Sequence, residues 1–322
     1  MLIIGELATI EAVIKNFKDA DPNYHIVGFI NCEDTPKTTE TIAGIPIYPG
    51  GALHRVIVDK AVSEIVVASY NAESISAQIY YDLMGLLERG FPIKEYTQVF
   101  EDITHRVPVQ FVGKDFYKYF PFSRSNSNKL YLFFHRFFDV VLASIGLLFG
   151  MALIPFIFLG NSIANKGSLF YSQERIGKNG KIFRIIKFRT MVKNAETDRA
   201  VWAVKNDARI TPFGKFLRRS RLDEVPQFLN ILKGDMSLIG PRPERPTFVK
   251  ELALVIPFYE TRHIIKPGLT GWAQVKVRYG GTIEASLLKL QYDLYYIKHR
   301  SFFLDINILI KTIGTMVYFR GQ

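Results

Sequence analysis

Short apolar runs alternate with amphipathic stretches through the first hundred residues of the chain. The strand-like runs are 2–5, 25–31, 45–48 and 64–69, with a further apolar run near Ile93. The helical patterns are 9–17, 53–61 and 74–88. Strands that alternate with helices are typical of a parallel sheet. We therefore predict an α/β domain at residues 1–125, followed by a polar linker around Phe122–Asn128 and a second domain at 126–322.

The most apolar part of the chain is Val140–Leu159, a run of twenty uncharged residues. As a helix it would measure about 30 Å, the thickness of the hydrocarbon core of a bilayer. Pro155 removes an amide donor and clashes with the preceding turn, which predicts a kink near 151–155. We predict a re-entrant hydrophobic helix at about 137–160 that enters and leaves the membrane by one face. A full span and a buried helix of a soluble core remain alternatives.

The charge differs strongly between the two parts of the chain. The net charge is +11, but residues 1–120 hold 10 Lys+Arg against 16 Asp+Glu, while the remainder holds 31 against 14. A basic and apolar second part favours an anionic membrane surface or phosphorylated substrates. Basic residues on both sides of the apolar run also favour re-entry. No helix-turn-helix, zinc-finger or RNP pattern is present, so nucleic acid is not an expected partner.

The first domain has little sign of its own chemistry. After the first strand, a dinucleotide-binding turn would need three spaced glycines, and the segment Gly5–Ile10 supplies only the first. Glu6 would repel a pyrophosphate, so an accessory domain, compatible with a homodimer, is the favoured interpretation. Cys32 is the single cysteine, which excludes an intrachain disulfide framework and favours a reducing compartment.

A carboxylate pair follows an arginine cluster in the second domain. Asp223 and Glu224 come directly after Arg218, Arg219 and Arg221. Pro226 is tolerated only in the first turn of a helix, so the two carboxylates are expected at a helix N-terminus, which attracts anions. Adjacent helical side chains point about 100° apart, so we predict different roles for the two groups. For an isolated Asp-Glu pair, a helix cap with ordinary surface charge would be the simpler interpretation.

Two further basic segments accompany this pair. Phe183–Met191 alternates basic and apolar residues, which predicts a strand that places Lys187 and Arg189 on one face, although a solvated basic face is an alternative. In the segment Gly234–Glu244, Pro241 and Pro243 fix the backbone on either side of Arg242. A guanidinium on such a stiff loop suits bidentate binding of a phosphate, and a plain surface turn is the alternative.

In this order, the motifs resemble those of the bacterial sugar transferase family, the monotopic phosphoglycosyl transferases that use polyprenyl phosphate. The resemblance covers about 180 residues, from Arg136 to Met316. The matching segments are Arg136-x-x-Asp139, Gln173–Gly177, Lys187–Met191, Leu222–Glu224, Gly234–Pro243 and Lys266–Gln274. The family usually has Ser-Pro in its membrane helix, where this chain has Met151-Ala152, with Pro155 three residues later. Residues 1–125 resemble the Rossmann-like module that precedes some of these enzymes.

The resemblance implies a C-terminal α/β membrane transferase domain that transfers a sugar 1-phosphate from a UDP-sugar to undecaprenyl phosphate and releases UMP. Asp223 would be the nucleophile and form an aspartyl phosphosugar. Arg218, Lys187, Arg189 and Arg242, with Pro241 and Pro243, would bind the phosphates. Asp223 would also bind Mg²⁺, and Glu224 would either assist the metal or act as an acid-base partner.

The resemblance further implies membrane lipids as partners and the cytosolic face of the inner membrane as the location. Arg136, Asp139 and Pro155 would belong to the anchoring helix. The alternative from another class is a non-catalytic, membrane-anchored scaffold or sensor that binds a nucleotide through its acidic domain. A soluble dehydratase is disfavoured because the first domain lacks a Tyr-x-x-x-Lys pair. The sequence does not identify the transferred sugar.

Overall fold

The computed structural model describes residues 1–20, 24–32, 41–69, 74–112, 124–165, 167–192, 195, 207–277 and 280–317. The chain forms two compact units, Met1–Phe116 and Tyr117–Gln322. Residues 113–123, which include the start of the predicted linker, lie outside the described part. The boundary at residue 125 therefore stays a prediction.

The first unit contains a six-stranded sheet flanked by helices. Its strands are β1 (Leu2–Gly5), β2 (Gly28–Asn31), β3 (Thr41–Ile42), β4 (Ile45–Tyr48), β5 (Ile65–Ala68) and β6 (Ile93–Glu95). Its helices are α1 (Ile10–Ala20), α2 (Leu53–Asp59), α3 (Ala77–Glu88) and α4 (Tyr96–Thr104). The strand order is β3-β4-β2-β1-β5-β6, and every pairing is parallel except that of β3 with β4. The predicted parallel α/β sheet is confirmed, while β3 and α4 were not predicted.

The one glycine of the predicted turn has a packing role in this sheet. All four residues of β1 are buried, and separate apolar clusters cover the two faces of the sheet. A Cβ on Gly5 would lie 2.6 Å from the backbone oxygen of Ala68 on β5, a distance that real side chains do not adopt. Close packing of β1 on β5 therefore accounts for Gly5 without a bound nucleotide.

The second unit combines a long apolar helix with small strand pairs and short helices. Its first helices are α5 (Arg124–Ser127) and α6 (Lys129–Ala164). Its strands are β7 (Phe170–Ile176), β8 (Ile182–Phe188), β9 (Ser237–Ile239) and β10 (Gly268–Thr270). The remaining helices are α7 (Pro212–Arg219), α8 (Phe228–Lys233), α9 (Pro246–Val255), α10 (Trp272–Lys276), α11 (Ile283–His299) and α12 (Phe302–Val317). β7 and β8 form an antiparallel pair, and β9 and β10 form a parallel one.

Helix α6 is longer than the predicted segment 137–160. It begins after Asn128, whose side chain accepts hydrogen bonds from the backbone of Leu130 and Tyr131, and it continues through Pro155. The predicted kink near 151–155 does not divide the helix into two elements. Among the described residues, α6 is the helix long and apolar enough to cross a membrane, and only 17% of its most apolar window is buried. That exposure disfavours a buried helix of a soluble core.

One face of α6 packs against the rest of the second unit along most of its length. Gly146 and Gly150 leave room for the side chains of Phe228 and Val225, because a Cβ at either glycine would overlap them. Nearer the C-terminal end, Gly160 makes the same kind of contact with Phe213 on α7. The helix thus contacts the same unit near both of its ends.

Two polar side chains near the start of α6 bind the backbone of neighbouring elements. The Arg136 guanidinium donates hydrogen bonds to the carbonyls of Ile231 (2.7 Å) and Leu232 (2.9 Å), which lie in the last turn of α8. Asp139 is 3% exposed, and its Oδ1 accepts hydrogen bonds from the Ser237 hydroxyl (3.0 Å) and the Leu238 backbone N–H (2.8 Å). These two residues join α6 to the second unit through protein contacts.

We expect Asp139→Ala to lower the melting temperature of the protein in detergent by about 4–8 °C. The change leaves the buried Leu238 N–H without an acceptor, which costs about 2 kcal/mol, and a domain of this size loses about 2–4 °C per kcal/mol. Asp139→Asn is the matched control because its amide oxygen can accept the same hydrogen bonds. Equal melting temperatures for the Ala and Asn variants would contradict this role for Asp139.

Helices α7 and α12 differ in how much of their apolar surface is exposed. On α7, Phe216 is exposed while Leu217 is buried. On α12, Phe303, Ile310 and Ile313 are exposed at helical spacing, while Asp305 accepts hydrogen bonds from two tyrosine hydroxyls on the inner side.

Candidate active site

The carboxylate pair lies in the first turn of a short helix, although Pro226 lies inside that helix and not in its first turn. Leu222–Gln227 forms a 3₁₀ turn that follows Arg221, whose backbone has a positive φ of 59°. This reversal turns the chain out of α7, so that Asp223 and Glu224 face the core of the second unit. Both carboxylates are buried, with exposures of 7% and 8%.

Glu224 is paired with cations from three different elements. The Lys187 ammonium on β8 lies 3.0 Å from Oε1, and the Arg242 guanidinium lies 3.7 Å from the same oxygen. The Arg221 guanidinium lies 3.4 Å from Oε2. Burial would raise the pKa of Glu224, but the charges of these cations lower it far below its usual range. Glu224 is therefore ionised at neutral pH.

Asp223 has a different environment from its neighbour. Among the residues that the structure describes, no side chain donates a hydrogen bond to its carboxylate. Burial and the charge of Glu224 raise the pKa of Asp223 to about 6, against opposing effects of Lys187 and Arg218. The pair thus separates into one strongly bound carboxylate and one with free oxygen lone pairs, which agrees with the predicted division of roles.

Arg218 is held beside Asp223 by the chain that follows β8. Its Nε donates a hydrogen bond of 2.9 Å to the Thr190 hydroxyl. Helix α7, which carries Arg218, is capped by Thr211, whose hydroxyl accepts from the Gly214 N–H at 2.9 Å. Gly214 has to be a glycine because a Cβ there would overlap the Thr190 carbonyl. This close contact fixes α7 and the guanidinium at its end.

The loop that carries Arg242 has each of four consecutive carbonyl groups hydrogen bonded. The donors, in chain order from residue 241 to residue 244, are the Gly268 N–H (2.9 Å), Arg262 Nη2 (3.1 Å), Arg175 Nη1 (3.1 Å) and the Ile176 N–H (3.0 Å). Together with Pro241 and Pro243, these contacts fix the backbone of the loop. The Arg242 side chain therefore extends from a rigid support toward Glu224.

A buried ion pair supports this loop from behind. Arg262 and Asp293 are 3% and 2% exposed, and Arg262 Nη2 lies 2.6 Å from the Asp293 carboxylate. The same nitrogen donates to the Arg242 carbonyl, and Nη1 donates to the Tyr259 hydroxyl at 2.7 Å. Burial raises the pKa of Asp293 to about 6 despite Arg262. No local pattern in the sequence connects Arg262 to this partner 31 residues away.

The structure brings some of the predicted site residues together and separates others. Lys187 and Arg242 lie at Glu224, and Arg218 lies near Asp223. Arg189 is directed elsewhere: its guanidinium donates to the Ser168 carbonyl (3.0 Å) and hydroxyl (2.6 Å), because β8 ends at Phe188 and the strand alternation stops there. The expected shared face of Lys187 and Arg189 is therefore wrong.

Other quoted residues lie outside the carboxylate cluster. Pro155 lies within α6, and Arg136 and Asp139 bind the backbone near α8 and β9. Trp272, in the matching segment Lys266–Gln274, is 2% exposed, and the Lys276 and Lys311 ammonium groups lie over its ring. It is a core residue of the second unit.

Sequence reasoning missed two side chains near the pair. Arg221 contacts Glu224 three residues away in the helix, a spacing that the sequence itself displays. Gln227 is 2% exposed, ends the same 3₁₀ helix and lines a small pocket with Lys187 and Arg242. The helical spacing was an available signal for Arg221, whereas no local pattern marked Gln227.

The described residues contain no group of three or more His, Cys, Asp or Glu side chains that could bind a metal ion. Mg²⁺ in phosphate-binding sites is usually held by one or two carboxylates together with substrate phosphates. Asp223, whose oxygens accept no side-chain hydrogen bond among the described residues, fits that requirement with Glu224 beside it.

Comparisons with known proteins give similar sequences for this second unit. A family model described as bacterial sugar transferase matches residues 130–319. The chain is 39% identical over 245 residues to a UDP-N-acetylgalactosamine-undecaprenyl-phosphate N-acetylgalactosaminephosphotransferase of Aeromonas hydrophila, covering 73% of this chain and 56% of that protein. It is 43% identical over 177 residues to a UDP-glucose:undecaprenyl-phosphate glucose-1-phosphate transferase of Xanthomonas campestris pv. campestris, covering 54% of this chain and 37% of that protein.

A transferase of the same name from Escherichia coli (strain K12) is 40% identical over 178 residues, which cover 54% of this chain and 38% of that protein. The chain thus spans about half or less of the length of these relatives. The family model matches more than half of the chain and includes both carboxylates and α6 from Leu130 onward. The chain belongs to the bacterial sugar transferase family.

Proposed function

We propose that the chain is a phosphoglycosyl transferase that moves a sugar 1-phosphate from a UDP-sugar to undecaprenyl phosphate. The relatives carry names of undecaprenyl-phosphate sugar phosphotransferases, for N-acetylgalactosamine and for glucose. The observation that carries the proposal is the buried Asp223–Glu224 pair among Lys187, Arg221 and Arg242. We infer that the product begins the assembly of a surface polysaccharide or glycoconjugate.

The proposed reaction has two displacement steps. An Asp223 oxygen attacks the phosphorus that bears the sugar, and the bond from that phosphorus to the bridging oxygen breaks, so that UMP leaves with the electron pair. An oxygen of the lipid phosphate then attacks the same phosphorus and displaces the Asp223 carboxylate. Covalent catalysis of this kind lets the two anionic substrates react in turn.

The charges around the pair suit this chemistry. A carboxylate that attacks a diphosphate is repelled by it, so cations must offset the repulsion and stabilise the phosphoryl oxygens. Lys187, Arg218 and Arg242 are the cations placed to do so, and the fixed loop holds Arg242 in position. Asp223 and Glu224 would hold Mg²⁺, which when bound would neutralise charge on the diphosphate.

We also propose that α6 enters the membrane from the cytosolic face of the inner membrane without crossing it. The contacts of Arg136 near the start of α6 and of Gly160 near its end, both with the same unit, support this arrangement, since a crossing helix would have one end on the far side. The acceptor phosphate lies at the membrane surface, and an anchor of this kind keeps the carboxylate pair at headgroup depth. For the first unit, we propose a Rossmann-like accessory role, compatible with a homodimer.

The test is UMP release by the full chain in detergent with undecaprenyl phosphate and a panel of UDP-sugars. We expect release with at least one UDP-sugar, and the panel identifies the sugar. A membrane-anchored scaffold would release no UMP with any member of the panel, and that result would contradict the proposal.

Formation of the covalent adduct is expected to depend on pH. Because the pKa of Asp223 is raised to about 6, its nucleophilic, ionised form predominates above that pH and disappears below it. The rate of UMP release in a single turnover without lipid should fall about tenfold from pH 7 to pH 5. A rate that stays constant over this range would show that ionisation of Asp223 does not control the step.

A further inference from the structure

A small pocket lies beside the carboxylate pair, and only part of its lining has a role in the chemistry described above. Four polar side chains line it: Arg175, Lys187, Gln227 and Arg242. Ile185 and Leu269 form apolar parts of its wall. Lys187 and Arg242 belong to the proposed phosphate-binding group, whereas Arg175 and Gln227 have no assigned role toward a ligand.

Two buried nitrogen atoms of this pocket lack a hydrogen-bond partner. Gln227 is 2% exposed and its Nε2 has no acceptor, and the Nε of Arg175 is likewise unpaired. An unsatisfied buried donor costs about 1–3 kcal/mol, so most native proteins pair such groups. A ligand that presents acceptor oxygens would supply the missing partners.

The charges in the pocket indicate the sign of the charge on that ligand. Burial, together with the charges of Arg242 and Arg245, lowers the pKa of Arg175 to about 10 despite the opposing charge of Glu244. The Lys187 and Arg242 side chains share one carboxylate oxygen, Glu224 Oε1, at 3.0 and 3.7 Å, and Arg175 lies 3.8 Å from the Glu244 carboxylate. Three cations against two carboxylates leave an excess of positive charge, which favours an anionic ligand. The amide of Gln227 adds a neutral donor.

We propose that Arg175 and Gln227, with Lys187 and Arg242, form a binding subsite for phosphoryl oxygens of the nucleotide donor. This inference rests on the proposed function. The oxygens belong either to the phosphate that leaves with uridine or to the phosphate that stays with the sugar. Gln227 lies four residues after Asp223 in the same 3₁₀ helix and would align the diphosphate relative to the nucleophile.

The test compares ligand binding by Gln227→Glu and Gln227→Met in the full chain. The probes are UMP and the 1-phosphate of whichever sugar supports turnover. The glutamate places a carboxylate where the phosphoryl oxygen would bind, and the methionine removes the donor at similar length. For at least one probe we expect the Kd to rise about tenfold or more, the effect of one lost hydrogen bond to a charged group. Gln98→Glu, an exposed site in the first unit, controls for the added charge.

Each outcome of the comparison has a defined meaning. Weaker binding of UMP assigns the subsite to the leaving phosphate, and weaker binding of the sugar 1-phosphate assigns it to the transferred one. Unchanged affinity for both probes overturns the subsite, even where the wild type releases UMP normally. If the wild type releases no UMP, the proposed function fails instead. Melting temperatures without ligand show that the variants are folded, because a merely structural glutamine would change these and not the Kd.

Discussion

Asp223→Asn is expected to abolish UMP release, with a loss of at least about four orders of magnitude in rate, as for other enzymes that lose their nucleophile. An amide oxygen does not attack phosphorus, and the surrounding cations cannot replace the missing bond. The covalent adduct formed from a radiolabelled UDP-sugar without lipid should also disappear. The measurement is retention of label on the denatured protein. An Asn variant with label and turnover would refute the role of Asp223.

The same variant should be folded and more stable than the wild type at neutral pH. The pKa of Asp223 is raised in the folded state, so its ionised form costs stability above pH 6, and this cost disappears as the pH falls below the usual value near 4. Removing the charge should therefore stabilise the protein by up to about 3 kcal/mol at pH 8, since one pKa unit corresponds to about 1.4 kcal/mol. If the Asn variant instead has a lower free energy of unfolding than the wild type, its inactivity is explained by unfolding and not by the missing nucleophile.

Asp235→Asn is a matched control for this experiment. Asp235 is a partly buried carboxylate in the same unit, and it accepts a hydrogen bond from the Asn230 amide rather than facing the cation cluster. The same chemical change there should leave adduct formation within about twofold of the wild type, as expected for a substitution outside the site.

Local patterns predicted the parts of the structure that depend on neighbouring residues. The central strands β1, β2 and β5 are buried on both faces, so they appear in the sequence as short apolar runs between helical patterns. Pro226 likewise restricts its own turn, which placed Asp223 and Glu224 at the start of a helix. In both cases the determining residues lie within about one turn or strand of each other.

Contacts between distant segments could not be predicted in this way. Arg189 and Arg218 look equivalent in the sequence, yet only Arg218 lies at the carboxylates. Arg189 is directed away because β8 ends before it. Arg218 is directed to the site because the close contact of Gly214 with Thr190 fixes its helix. The support of Arg242 by Arg262 depends on Asp293, which no local pattern connects to that loop. The extent of α6 depends similarly on its packing against Phe228 and Phe213.

Glu224→Gln is expected to have the largest effect on stability. The change removes the negative charge closest to Lys187, whose charged form burial already disfavours. It also removes the charge that Arg221 and Arg242 contact. Removing one partner of a buried ion pair costs about 3–5 kcal/mol. The melting temperature at pH 7 should fall by about 10 °C, given about 2–4 °C per kcal/mol for a domain of this size.

The pH dependence of this loss follows from the direction of the pKa shift. The pKa of Glu224 is lowered in the folded state, so its stabilising contribution is present above the usual value of 4.5 and declines as the pH falls below it. The difference between wild type and Glu224→Gln should therefore shrink in acid. The charge of Glu224 also raises the pKa of Asp223, so adduct formation by folded Glu224→Gln should reach its plateau at a lower pH.

A double-mutant cycle with Lys187→Met separates pairing from packing. If Glu224 acts through the ion pair, the double variant should be less destabilised than the sum of the two single variants, by about 1–3 kcal/mol. Additive effects would mean that Lys187 and Glu224 stabilise the fold independently. In that case Lys187 would not stabilise the ionised form of Glu224. The separate roles of the two carboxylates, which depend on this stabilisation, would then lose their basis.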